Sequence, residues 1–586
     1  MNKLTRILKI NLILSAVYSF LCVSFHADIS LLAVFVSAAW TAATFIFPNK
    51  ILVPGKTSVP LNAMRRFFQY EPFVFISAFV IQRSGSYGMP FVLDLFCAVL
   101  WIIITGVSFY IQYLLGEKRV FIMCPEWKAG YEASSKKRRG SAKFVMIEIL
   151  EWIDALFQAV FTIILLNIFL FQLYEIPSES MVPTFLVKDR VVVGKTLAGP
   201  KFPLSQVGIP YIQSYKRGDI VVFRNPHYSS DRKSEVKTFM SQFLYMCSLT
   251  LLKTNTDENG ELKADPLVKR VCGVPGEQIY MLDGILYART KDSKEFKEIT
   301  LDSKFAAWDL NLLSDETREK IMRIPLSKEL VENSYVTEME RRNLDLVSAA
   351  LECQSLAREF SLYTRKSTSA DISGLFSSRD MFVYNMFSNV NNLTISLMTA
   401  EGGEKWFERF MNTWHEENPE FLKDGAVCGG DPYSDACFRL NIMCKLVFGR
   451  LVVMNSKLIF NSVDAKDWNK DPERIKQFEI ASRLNDYISC MDLRNLCLFP
   501  ENDADGNPVY IPENCYFMMG DNRYNSLDMR HSYDQKNIPL SSLDPYSVTY
   551  YSSLAPQYVH RDRILGKASF RFWPPSRAGI PDKMKK

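Results

Sequence analysis

Every apolar run long enough to approach the roughly 20 residues of a helical bilayer crossing lies before Pro177, near residues 8–25, 29–47, 89–115 and 153–173. After Pro177 the chain is polar, with ordinary strand and helix patterning, so the sequence divides into a membrane part and a water-soluble part. A fifth apolar stretch, 67–82, is shorter and holds Glu71 and Pro72. Basic residues cluster in three places: Lys3, Arg6 and Lys9; then Lys50, Lys56, Arg65 and Arg66; then a group from Lys118 to Lys143 that includes Lys136, Lys137, Arg138 and Arg139. The positive-inside rule puts all three in the cytoplasm. Two cytoplasmic segments flank 67–115 only if that region crosses an even number of times, so 67–82 is expected to span. The expectation is five spans, four within 1–151 and the fifth at 152–174, with everything after Leu173 outside the cytoplasm. The second span follows the first closely and no small-residue cleavage site intervenes, which argues against a cleaved leader. Asp94, near one end of its span, is expected to reach the interface.

At 586 residues the chain is too long for one core, and length alone suggests about four units. Hydrophobic residues make 48% and charged residues 23%, which excludes wholesale disorder and collagen-like or low-complexity scaffolds. The formal charge of +5 comes without a basic stripe in the soluble part, so no nucleic-acid partner is expected. Twelve cysteines include no CxxC pair and no Cys/His spacing suited to zinc, so neither a metal nor another cofactor is expected. Nine lie in the soluble part, an odd number, with Cys428/Cys437 and Cys490/Cys497 left as open pairings. The five histidines share no motif.

The soluble part begins with strand texture at 191–193, 219–223 and 267–271, followed by a hairpin around 279–287 with Asp283-Gly284 at its turn. From 291 to 508 the pattern becomes helical, as at 328–363, 404–417 and 472–496, and strand texture returns at Val509. A β-domain formed by 175–290 and 509–586 is therefore expected to carry a large, mostly helical insertion at 291–508. Aromatic and Met positions there, such as Trp406, Phe407 and Phe410 or Met381, Phe382, Tyr384 and Met386, have the helical spacing of core residues. Asn392-Leu-Thr394 fits a glycosylation sequon and is read as chance.

Three constellations carry chemistry. Strand alternation puts Lys269 between Leu267 and Val271 on one face, with Val268 and Arg270 on the other. Burial disfavours an ammonium, and a lysine whose pKa falls toward neutrality can take a proton from a hydroxyl, making a nucleophile without histidine. Ser180 lies seven residues beyond Leu173, and at roughly 3.5 Å per extended residue its hydroxyl stays within about 25 Å of the membrane face. A nucleophile there acts on something presented at that surface. The third is Tyr516-Phe-Met-Met-Gly-Asp-Asn-Arg-Tyr-Asn-Ser-Leu-Asp-Met-Arg530, an apolar strand ending in a Gly-Asp-Asn turn with Ser526, Asp528 and Arg530 close behind.

In this order the segments resemble bacterial type I signal peptidases, membrane-bound Ser/Lys proteases that remove signal peptides from exported proteins. Ile176-Pro-Ser-Glu-Ser-Met-Val-Pro-Thr184 looks like the nucleophile box, Arg217-Gly-Asp-Ile-Val-Val-Phe223 the next strand and Val268-Lys-Arg-Val-Cys-Gly-Val-Pro-Gly-Glu277 the general-base box. Gly520-Asp-Asn-Arg-Tyr-Asn-Ser-Leu-Asp-Met-Arg530 resembles the final box and Ile564-Leu-Gly-Lys-Ala-Ser-Phe-Arg-Phe-Trp573 the closing strand. The resemblance covers about 140 residues and implies a mainly β, signal-peptidase-like catalytic domain behind a multi-span helical membrane region. It further implies Ser180 as nucleophile, Lys269 as general base and Ser526 as the hydroxyl orienting the lysine. The Ser180 N–H and the Ser178 hydroxyl would hold the oxyanion. Arg270, Asp521, Asp528 and Arg530 would support the site, while Ile176 and Val268 would line shallow pockets for small residues of an Ala-X-Ala site, the substrate pairing with strand edges. Preproteins and the lipid bilayer are the implied partners, and the bacterial inner membrane, with the catalytic domain outside the cytoplasm, is the implied location. Three positions depart from the family: Lys188 replaces a usual Gly, Tyr524 a common Asp and Met529 a frequent small polar residue.

Two other readings compete: a catalytically silent scaffold or binding protein of the same fold, against which intact Ser178, Ser180, Lys269 and Ser526 speak, and a transporter, for which the membrane part offers no polar path. The insertion is expected to cover the site or to contact the export machinery.

Overall fold

The computed structural model describes residues 2–22, 30–52, 61–85, 89–136, 142–228, 231–248, 252, 254–256, 260, 262–364, 375–423 and 425–581. The apolar part forms α1 (Asn2–Leu21), α2 (Ser30–Thr44, continued by π-turns to Leu52), α3 (Leu61–Arg83), α4 (Phe91–Leu114), the short α5 (Glu117–Met123) and α6 (Glu126–Lys136), and α7 (Ala142–Phe169). Four of its helical stretches are long and apolar enough to cross a membrane: Lys3–Leu21, Leu31–Lys50, Phe91–Leu114 and Glu148–Phe169. α3, which contains the weak stretch, is not one of them by composition, yet it is one unbroken helix of 23 residues lying along α2 and α4. At one end Leu4 and Leu8 of α1 meet Leu61 and Met64 of α3 and Ile111 and Leu114 of α4; at the other, Tyr18 meets Phe75, Phe79, Cys97 and Trp101. The Glu71 carboxylate inside this bundle accepts hydrogen bonds from Asn11 (2.9 Å), Ser15 (3.4 Å) and Ser108, so its burial is matched by polar partners on two neighbouring helices. Asp94, in the first turn of α4, is buried, ion-paired to Arg83 and accepts a hydrogen bond from the Ser205 hydroxyl.

α7 runs into β1 (Phe171–Glu175), which opens a seven-stranded antiparallel sheet with β2 (Arg190–Gly194), β3 (Ile220–Phe223) and β4 (Leu267–Gly273). Between β3 and β4 lies α8 (Arg232–Cys247). A second sheet is built from β5 (Glu277–Leu282), β6 (Ile285–Thr290), β7 (Ser293–Glu298) and β8 (Leu496–Phe499), with β8 paired to β5. The chain then adds β9 (Cys515–Met519), the hairpin of β10 (His531–Pro539) and β11 (Thr549–Leu554), then β12 (Val559–His560) and β13 (Ile564–Trp573), so the large sheet runs β1-β2-β13-β3-β4-β9-β12. Alternation along β4 sorts its side chains: Leu267 and Val271 join a core with β5, β6 and β9, while Val268 joins another with Ile176, Met181 and Val222. The β5–β6 turn has positive φ at Asp283 (53°) and Gly284 (81°), the backbone a two-residue hairpin of this hand requires.

Between β7 and β8 the described residues form ten α-helices, from α9 (Thr300–Phe305) to α18 (Pro472–Arg494), the longest being α16 (Pro432–Phe460). Two strands therefore fall inside the range expected to be helical. β7 reads Ser-Lys-Glu-Phe-Lys-Glu and is largely solvated, so no apolar alternation announces it, and β8 is only four residues long. Trp406, Phe407 and Phe410 are buried in the helical core, which also takes in Leu540, Val548 and Tyr550 from the β10–β11 region. Neither open cysteine pairing is formed: Cys428, Cys437, Cys490 and Cys497 are all free thiols.

Candidate active site

Ser180 sits on a single 3-10 turn, Glu179–Met181, just after β1. The chain enters this turn through Ser178 in extended conformation (φ −138°), with Ile176 N–H donating to the Asp189 carbonyl at 2.8 Å and Lys188 N–H to the Ile176 carbonyl at 2.9 Å. Lys188 has φ +70°, the left-handed backbone a glycine adopts without cost, so the turn keeps its shape despite the lysine. Below it, the Asp189 carboxylate accepts from Leu186 N–H (2.9 Å), Arg571 (3.1 Å) and Arg577 (2.9 Å).

Lys269 projects from β4, where it pairs in register with Val221, and its Nζ lies 2.7 Å from Ser180 Oγ. The amine is buried, and burial pushes its pKa down to about 8; Asp528 and Asp521 oppose the shift and Arg530 adds to it. Such an amine is unprotonated in a useful fraction near neutral pH and lies within reach of the serine proton. Ser178 Oγ is 3.4 Å from Ser180 Oγ, on the exposed side of the turn.

The supporting charges form two buried pairs. Arg270 grips Asp521 through Nε and Nη2, both at 2.8 Å, donates to the Gly218 carbonyl at 2.6 Å and stacks its guanidinium 3.6 Å from the Phe305 ring centroid. Asp528 accepts from Arg530 Nε and from Gly520 N–H, each at 2.9 Å. Burial alone would raise the Asp528 carboxyl, but Arg530 holds it well below the usual carboxylate range. Gly520 has a steric reason: a Cβ there would run into Ser526 Oγ and the Ser180 carbonyl.

Ser526 does not make the contact expected of it. Its hydroxyl is buried against Gly520 and has no hydrogen-bond partner among the described residues, Lys269 included. Ile176 and Val268 lie in the same small core beneath the Ser180 turn, Ile176 fully buried and Val268 half-buried. The departures Tyr524 and Met529 point away from the dyad. Tyr524 packs edge-on to Trp308 and accepts from Arg494 at 3.4 Å, and Met529 is buried in the inter-sheet core.

Three residues not singled out from the sequence fix the turn. Asn522 donates its N–H to the Ser180 carbonyl and its side-chain amide to the Glu179 carbonyl, both at 3.1 Å, and Thr184 bridges Asp521 (2.5 Å) and Arg270 (3.3 Å). The buried Glu179 carboxylate accepts the consecutive backbone N–H groups of Met322 and Arg323, the latter at 3.2 Å, tying the Ser180 turn to the helical part. Asn522 carried a signal as the last member of the Gly-Asp-Asn turn. Glu179 carried none, because its partners are backbone amides some 140 residues away.

Comparison with known proteins finds that the family model of signal peptidase, peptidase S26, matches residues 149–336 and 452–573, a little over half of the chain. Among curated relatives, Signal peptidase I of Haemophilus influenzae is 26% identical over 212 residues, 34% of this chain and 58% of that protein. Signal peptidase I P of Bacillus subtilis subsp. natto is 29% identical over 169 residues, 28% of this chain and 65% of that protein. Signal peptidase I of Buchnera aphidicola subsp. Baizongia pistaciae is 36% identical over 80 residues, 14% of this chain and 26% of the relative. The chain thus spans less than two thirds of the length of each of these three relatives.

Proposed function

The chain belongs to the signal peptidase family, peptidase S26, and from that premise we propose that it is a membrane-bound serine endopeptidase that removes signal peptides from exported preproteins after small residues. The observation that carries this reading is the 2.7 Å contact between a buried, partly deprotonated Lys269 amine and the Ser180 hydroxyl. Lys269 takes the Ser180 proton as Oγ attacks the scissile carbonyl, then gives it to the leaving amine; a water, deprotonated by the same amine, releases the acyl group. The Ser180 N–H and the Ser178 hydroxyl stabilise the tetrahedral oxyanion. Arg270, Asp521, Asp528 and Arg530 keep β4 and the end of β9 in register with the nucleophile turn. Ser526, which has no hydrogen-bond partner among the described residues, is available to orient the lysine once substrate is bound.

Ile176 and Val268 supply the apolar floor against which small substrate side chains pack, with the extended peptide lying along a strand edge. The four apolar stretches and α3 make five crossings in this reading, residues 152–174 anchoring a catalytic β-domain on the extracytoplasmic face of a bacterial inner membrane. The helical part of 291–508 is the insertion of that domain, and a contact with the export machinery belongs to it.

Incubation of the full-length protein with a preprotein bearing an Ala-X-Ala site, followed by sequencing of the new amino terminus, tests the specificity. Cleavage directly after the second Ala, abolished when that Ala becomes Phe, is expected. Equal cleavage of the Phe variant would overturn the small-residue requirement.

A further inference from the structure

A cavity of about 410 Å³ lies away from Ser180, where α7 meets the β part. One side of it is apolar: Ile164 and Ile168 of α7 face Phe239 and Phe243 of α8. The other side carries Lys195, Arg224 and Arg563. The Lys195 N–H donates to the Leu170 carbonyl at 2.8 Å, which fixes this cationic side one residue beyond the end of α7.

The wall carries Lys195, Lys201, Arg224 and Arg563 against Glu235, Asp265 and Asp562, and the Asp265 carboxylate interacts electrostatically with Arg224 and Arg563. Glu235 is engaged by Arg232 at 3.5 Å; Asp562 faces Lys201 at 3.9 Å and accepts the Tyr211 hydroxyl at 2.5 Å; Asp265 accepts the Asn225 N–H at 2.8 Å. Arg563 reaches the Asn225 carbonyl at 3.4 Å. Lys195 and Arg224 form no ion pair with a described residue, although both border the same space. Burial, with the neighbouring Arg224, pushes the Lys195 amine down to about 8.

A cationic rim just beyond the end of an apolar helix, above a slot lined by that helix, fits a molecule with an anionic head and a hydrocarbon tail. Guanidinium and ammonium groups suit a phosphate, one as a planar fork and one as a point charge. A free phosphate would use the cations and leave the apolar half of the cavity unfilled. We propose that this cavity binds an anionic glycerophospholipid, its phosphate held by Lys195 and Arg224 and an acyl chain lying along Ile164, Ile168, Phe239 and Phe243. The proposal rests on the reading that α7 crosses the membrane. It gives the β part a lipid-dependent seat on the bilayer, separate from the Ser180 site.

The test reconstitutes the full-length protein and the Lys195→Gln/Arg224→Gln double variant in phosphatidylcholine vesicles with and without phosphatidylglycerol. Flotation comes first, then detergent extraction and native mass spectrometry of the lipid retained. Both proteins are expected to float, and the wild type to keep one phosphatidylglycerol that the double variant loses. At about five-fold per cation, the pair should weaken retention roughly 25-fold. Equal retention by two floating proteins overturns the pocket alone, whereas wild type that fails to float overturns the pocket and the membrane reading together. A calorimetric titration with inorganic phosphate in detergent separates the sources: binding as tight as that of phosphatidylglycerol would overturn the lipid assignment in favour of free phosphate. Undiminished proteolysis by the floating double variant is expected, since neither residue touches the Ser180 turn.

Discussion

In the proposed mechanism Lys269 sets the pH at which this site works. Its amine must be unprotonated to accept the Ser180 proton, and burial places its pKa at about 8. Below that value each unit of pH removes about nine tenths of the active form, so kcat/KM should rise close to ten-fold per unit and level off above about 8. A profile measured between pH 5 and pH 10 that is flat through neutrality would remove the lysine as base. A second residue-scale prediction concerns Lys188, held at φ +70°. Replacing it with Gly relieves the left-handed strain and should raise stability by about 1 kcal/mol, read as a higher midpoint in urea with unchanged slope. The contact between Ser180 and Lys269 was legible because each lies in an ordered run of residue types whose spacing the fold preserves. The lack of a partner for Ser526 and the burial of Asp94 were not, since both depend on what other segments bring alongside: Gly520 in one case, Arg83 and Ser205 in the other.

At the scale of elements, the Ser180 turn is a three-residue piece with little cohesion of its own, held from outside. Asn522 grips its carbonyls from the end of β9, and Glu179 accepts two successive amides from the segment after α10 (Asp315–Arg318). Glu179→Ala removes the acceptor that ties both amides, which belong to exposed residues, to the Ser180 turn, a loss of about 1 kcal/mol in local order. The expected effect is a fall in kcat of about ten-fold with KM nearly unchanged, and recovery of most activity in Glu179→Gln, whose carbonyl still accepts one amide. A purely stabilising role would lower the melting temperature and leave kcat of the folded fraction intact. Elements with strong periodicity were readable: the alternation of β4, the Asp283-Gly284 hairpin and the aromatic stripe of α15 (Gly403–Glu416). β7 and β8 were not, because an exposed polar strand and a four-residue strand are specified by their pairing partners rather than by their own pattern.

Across the whole molecule, the helical part is bound into the β part at several points rather than hung from it. Asp283 at the β5–β6 turn is gripped by Arg341 at 2.6 Å and by Arg342 on α11 (Lys328–Arg342), and Arg494 joins Glu338 (2.6 Å) to the Asp283 carbonyl (2.8 Å). The loop between β2 and β3 in turn seats Phe202 and Val207 against Phe79, Trp101 and Phe169 of the apolar bundle. A membrane part, a soluble part and a change of texture between 291 and 508 could be read from hydropathy and period; this cross-bracing could not, as each brace joins residues far apart in sequence. The central claim, that Ser180 and Lys269 act together within this assembly, is tested most directly with the full-length protein in detergent. Cleavage of an Ala-X-Ala preprotein is compared for wild type, Ser180→Ala and Lys269→Ala, each shown by circular dichroism to melt as the folded wild type does. Cleavage by wild type and none by either variant is the predicted result; turnover in Lys269→Ala equal to that of wild type would contradict it.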